Sequence, residues 1–155
     1  MDVDSTVHAL IPIIQQIIQG VMKSNGVGLF SAISMAKGLA DFLKDAPTRF
    51  VGNDIVSGII KNVLHGGAEG EPSHAPDEPY SLANLDLDVV MVEVGKVNDL
   101  LASTGEVGRQ TKTFIYELGE AVAKASGSGL FGRGEKINAQ EADFLSKLKT
   151  VLGLS

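Results

Sequence analysis

The histidines are the first residues to ask about chemistry, because imidazole serves as base, nucleophile partner or metal ligand near neutral pH. There are three, His8, His65 and His74, in a 155-residue chain without cysteine. They fall near the first terminus, at a helix end and in a polar stretch, and none has a second ligand at metal-binding spacing. Ser, His and Asp all occur, but no nucleophile motif frames them. Asp86 and Asp88 form a carboxylate pair. Two residues apart on a helix they share no face, and on a strand they would face solvent opposite Leu85, Leu87 and Val89. Either geometry makes them solvated surface rather than an acid and its base, so no enzymatic activity and no cofactor are expected.

Two glycine-rich phrases are the other candidates. "VMKSNGVGLF" at 21–30 and "VAKASGSGLF" at 122–131 share a Val, a Lys and the frame Gly-x-Gly-Leu-Phe. A phosphate-cradling loop would need its glycines to follow a strand and open a helix. Here each phrase closes a predicted helix. The Lys suits the negative end of the helix dipole, and a Gly can take the left-handed conformation that caps it. Gly26, Gly28, Leu29 and Phe30, and again Gly127, Gly129, Leu130 and Phe131, thus read as a helix stop followed by a hydrophobic anchor. The second copy alone continues into "GRGEK", where Arg133 and Lys136 could meet an anion.

The elements that would position these turns follow from periodicity. Val7, Leu10, Ile11, Ile14, Ile17, Ile18 and Val21 recur at helical spacing, with Asp4 or Ser5 as cap, Ser24 near the end and Pro12 a point for a kink or a late start. No charge occurs from Ala9 to Met22. That predicts either a helix buried on most sides or one whose second face, through Ile13, Ile14, Ile17 and Ile18, meets another subunit. A second helix runs from Ser31 to Pro47, and a third, capped by Thr48, carries Phe50, Ile55, Ile59, Ile60 and Val63. Residues 66–81, "GGAEGEPSHAPDEPYS", hold no aliphatic side chain larger than Ala and read as a mobile linker between halves 1–65 and 82–155 of a single domain.

Beyond the linker, "LDLDVVMVEV" alternates like a strand, yet the helical set Leu87, Val90, Val94, Val97 and Leu101 extends past strand length and predicts a helix. A clear amphipathic helix follows, through Val107, Thr111, Phe114, Leu118, Val122 and Ala125. In the last, Asn138 and Glu141 make a capping box ahead of Phe144, Leu145, Leu148 and Leu152. Because "ADFL" also recurs, at 40–43 and 142–145, the expected object is an all-α, compact bundle of about six helices in two pseudo-symmetric halves, an internal duplication.

From Glu117 onward, "ELGEAVAKASGSGLFGRGEKINAQEADFLSKLKTVLGLS" resembles the end of tellurite-resistance TerB-like domains. There a helix ending in Val-Ala-x-Ala meets a glycine turn, an Ile/Val-Ser/Asn-x-x-Glu motif starts the final helix, and Leu-Gly closes it. The match spans roughly Phe114–Leu154. The resemblance implies an all-helical fold of two related halves and a non-enzymatic part in stress-response or membrane-associated assemblies. It also implies metal-binding acids at the turns, but Asn25-Gly26 and Ser126-Gly127 stand where the pattern has Asp-Gly. Glu135 and Glu141 are the carboxylates left, fewer than a divalent cation wants, so no metal is expected.

Charge narrows the partners. The net charge of −6, with no basic residue between Lys61 and Lys96, argues against nucleic acid. The acidic start does not open like a targeting peptide, and the first helix lacks the Lys/Arg-rich polar face of a membrane-surface helix. A soluble, cytoplasmic protein is expected, a non-catalytic module that self-associates or binds a protein partner. Peripheral membrane association is the less favoured option, and a small-ligand or metal sensor built on the glycine turns is the alternative.

Overall fold

Hydrophobic side chains at three-and-four spacing dominate the chain, and the computed structural model folds them into helices alone among its described residues, 2–25, 29–69, 86–127 and 139–154. Six helices form one all-α bundle: α1 (Val3–Asn25), α2 (Leu29–Arg49), α3 (Asp54–Glu69), α4 (Leu87–Leu100), α5 (Gly105–Gly127) and α6 (Ala139–Leu152). None is long and apolar enough to cross a membrane.

The uncharged first helix is the axis of the bundle. It lies against α3, α4, α5 and α6. Val7, Leu10, Ile13, Ile14, Ile17 and Val21 are buried, and Ile11 and Ile18 pack half-buried at the edge. Each fully buried aliphatic side chain of this size contributes about 1.5–3 kcal/mol. Beyond its exposed first turn, Val3 to Ser5, the exposed positions described on α1 are His8, Pro12, Gln15 and Gln19, a narrow strip. Pro12 sits on that strip, so the carbonyl left without its helical donor can be hydrated, and the helix begins at Val3 rather than after the proline. Of the two readings of this helix, burial and a subunit interface through Ile13, Ile14, Ile17 and Ile18, the packing of the chain itself matches burial, and Ile13, Ile14 and Ile17 are corrected from interface to core. Those side chains are 4 %, 0 % and 0 % exposed inside the chain's own core.

The helix starts differ from expectation as well. Asp2, not Asp4 or Ser5, caps α1: its carboxylate accepts from the Ser5 hydroxyl at 2.9 Å and the Ser5 amide at 3.2 Å. Those bonds hold the Asp2 carboxyl below its ordinary range. Helix α2 starts at Leu29, two residues before Ser31, and runs through Pro47 to Arg49. The Phe50 amide still bonds the Ala46 carbonyl at 2.8 Å, so the chain turns only at 50–53, where Gly52 takes φ 85°. Thr48 consequently lies within α2, and Asn53 caps α3 by accepting from the Val56 amide at 3.0 Å. Helix α3 extends to Glu69, so residues 66–69, expected in the linker, are helical; the rest of the linker, 70–81, lies outside the described residues.

The valine-rich stretch is helical. Asp86 caps α4 by accepting from the Asp88 amide at 2.9 Å, and Val90, Val94, Val97 and Leu101 face the core. Helical burial thus outweighs the local β-propensity of valine. Helices α4 and α6 run in the same direction, with Asn98 donating to the Val151 carbonyl at 2.8 Å near their C-terminal ends and their first turns side by side.

Helix α2 packs most extensively on α5. Phe42 lies 5.5 Å from the Phe114 ring, and Phe50 meets the same ring edge-on at 5.6 Å. Arg49 stacks over Phe50 and approaches Glu117 Oε1 at 2.6 Å. That oxygen is closed off from water and accepts no well-aligned hydrogen bond, so the contact is an ion pair rather than a directed bond.

Close approach of α2 to α5 requires Gly38, because a Cβ there would overlap the Ala125 side chain and press on the Ala121 carbonyl. Gly95 is different: a Cβ there would meet nothing nearer than Val151 at 4.0 Å. Chemical denaturation separates the two effects. Gly38→Ala is expected to lose about 1–3 kcal/mol by forcing the helices apart, whereas Gly95→Ala should gain up to about 1 kcal/mol of helix propensity. Equal effects at both positions would contradict this packing.

Candidate functional site

Three helix ends meet at one end of the bundle. Lys23 comes from the last turn of α1, Leu87 and Asp88 from the first turn of α4, and Ala139 and Gln140 from the first turn of α6. Between them lies a pocket of about 430 Å³. Its floor is apolar because Leu87 and Met91 sit one helical turn apart on the side of α4 that faces α6, and Phe144 completes it from α6. Phe144 reaches this depth because Gly20 of α1 has no Cβ to obstruct its ring.

The rim is charged and balanced. Lys23 and Lys147 supply two cations, Asp88 and Asp143 two anions, and Lys147 lies 3.3 Å from Asp143 across one turn. The volume falls in the range of small-ligand sites and would equally hold a large apolar side chain of a partner. Outside the pocket lining, the outer face of α4 shows Val92, 66 % exposed, and Val89, 52 % exposed.

The opposite end holds a smaller pocket of about 210 Å³, lined in part by Val3, Thr6, Ile55 and Thr104. Next to it Asn53 is buried, and its amide nitrogen donates to the Val107 carbonyl at 3.2 Å and to Thr111 at 3.3 Å. One side chain thus caps α3 and ties it to α5, which gives this end a structural role. On α5, burial and then the charges of Glu120 and Glu117 push the Tyr116 hydroxyl up from its ordinary value.

Most of the turn residues expected to matter fall elsewhere. Leu29 and Phe30 are the first residues of α2, a correction to their place in the turn, and Gly127 is the last of α5. Gly26, Gly28, Gly129, Leu130, Phe131, Arg133, Glu135, Lys136 and Asn138 lie outside the described residues. Glu141 does open α6, but its side chain is 0 % exposed. Among the described residues no three His, Cys, Asp or Glu are grouped to hold a metal. His8 Nδ1 lies 2.9 Å from the Asp4 carbonyl, a bond within its own helix, and Asp86 is spent on its cap.

The pocket is hidden in the sequence because Leu87 belongs to the predicted core stripe and Met91 stands out only in the strand-like alternation. Only the parallel placement of α4 and α6 leaves them half-buried at a shared end. The exposed Val89 and Val92 were readable as apolar positions off that stripe. No protein-family model, no curated protein and no solved structure matches the chain.

Filling the pocket tests its presence in solution. Met91→Trp should change stability by less than about 1.5 kcal/mol, because the ring enters existing space, while Val94→Trp in the core should cost about 3 kcal/mol or more. A comparable loss from Met91→Trp would show that no such space exists.

Proposed function

We propose that this chain is a non-catalytic interaction module that receives an apolar segment of another protein chain on α4 and the neighbouring pocket. The observation that carries the reading is an apolar floor of Leu87, Met91 and Phe144 on the side of α4 that faces α6, together with Val89 and Val92 exposed on the outer side of the same helix. An isolated exposed valine needs no explanation, but two at i and i+3 on one helix that also lines an apolar pocket make a contact surface. The charge-balanced rim suits a polypeptide, whose flanking side chains of both signs can answer Lys23, Lys147, Asp88 and Asp143. The same balance weakens the alternative of an ion or small-anion sensor, since the rim has no net charge to select one.

The TerB-like resemblance of the C-terminal third belongs to this proposal, and with it a place in a stress-response or membrane-associated assembly. Two observations support the reading of two related halves. Helices α1 and α5 are both 23 residues long. The repeated Ala-Asp-Phe-Leu sends Phe42 onto α5 and Phe144 onto α1, each to the long helix of the other half.

A photo-reactive phenylalanine analogue at position 92, with the same residue at exposed Lys44 as control, tests the surface in cells. Discrete adducts specific to position 92 are expected. Identical adduct patterns from both positions would sink the reading.

A further inference from the structure

Resting on that reading of the α4 surface, we infer that its occupant is a second copy of this chain, bound face to face and antiparallel about a two-fold axis at Val92. Large exposed hydrophobic side chains among the described residues are Val3, Val51, Val89 and Val92, and α4 alone carries two of them within one helix. Its outward stripe reads Asp88, Val92, Lys96, Asp99, at steps of four, four and three. These positions follow one side of a helix.

The stripe is complementary to its own reverse. Four residues before Val92 stands Asp88, and four residues after stands Lys96. In an antiparallel pair with its two-fold axis at Val92, residues equidistant from the axis lie at the same level. Each Asp88 then stands level with the second copy's Lys96, roughly 6 Å along the helix from the axis.

A parallel pair would instead set Asp88 against Asp88 and Lys96 against Lys96, so the charges select the antiparallel arrangement. Such an isologous contact closes on itself as a dimer. Lys96 now pairs with Glu93 of its own helix at 3.0 Å, with its side chain 58 % exposed. Exposed pairs of this kind are weak, so Lys96 can turn toward a new partner at little cost. One helix pair buries less than a standard protein interface, and each copy carries a net charge of −6. The association is therefore weak and depends on concentration.

Sedimentation velocity on the full chain, from about 10 μM to about 1 mM, tests it. A monomer–dimer equilibrium is expected, and Val92→Glu should hold the chain monomeric. Asp88→Lys or Lys96→Asp alone should weaken the dimer by about tenfold, since each converts both cross-axis pairs to repulsion. The double exchange should restore affinity to within about threefold, with circular dichroism confirming that all variants are folded. Association unmoved by the single reversals, or not recovered by the exchange, overturns the proposal. A chain monomeric throughout also overturns it. In that case, position-92 adducts to other proteins would leave the interaction module standing, and a lowered melting temperature of Val92→Glu would show the face covered by the chain itself.

Discussion

Exclusion of water from α1 is the constraint on which the rest of this fold depends. A 23-residue helix with Leu10, Ile14, Ile17 and Val21 at no exposure can be stable only if other helices surround it. Four do, and their own apolar faces are consumed in the process. This bears on the run without charge from Ala9 to Met22: a single lysine or glutamate at Leu10, Ile13, Ile14, Ile17, Gly20 or Val21 would enter the core unpaired. Among the described residues of that run, the exposed ones are Pro12, Gln15 and Gln19, on one narrow strip.

Once α1 is surrounded, the remaining helices are placed by local contacts of two kinds. Glycines allow close approach, as where Phe144 crosses Gly20 and where Gly38 lies against Ala125. Side chains then fix register, as where Asn53 reaches across to α5 and Phe42 and Phe50 grip Phe114. The parallel run of α4 and α6 follows from their shared contact with α1 and from the Asn98 bond to Val151. It also opens the pocket, because two helix starts and one helix end leave a gap between the described side chains. The outer face of α4 makes no demand on the core and is free to carry Val89 and Val92.

Helix number and type were legible in the sequence because amphipathic spacing persists over whole elements, and it marks much of the core stripes of α4 and α5, though Ile115 and Ala123, both fully buried, lie off the predicted stripe. Boundaries were less legible. Thr48 and Ser31 have the chemistry of helix caps, but capping depends on where the chain turns, and the turn is set by Gly52. Pro47 reads as a helix stop, yet near the C-terminal end of α2 it removes one donor while the following amides still find acceptors. The uncharged face of α1 left core and interface equally open, since both call for the same side chains. The candidate surface is hidden for a related reason: Leu87 reads as core, and only tertiary placement leaves it at an edge beside Met91.

If α1 is the core axis, interaction with other molecules must use the periphery, and the α4 face is where apolar side chains reach it. Native-state amide hydrogen exchange on α1 tests this most directly. The account expects the amides of the buried stretch from Leu10 to Val21 to exchange only by global unfolding, with an opening free energy equal to that from denaturation and unchanged by protein concentration. Exchange of these amides through a cheaper local opening, with protection that rises as the protein is concentrated, would contradict it and return α1 to the role of an interface.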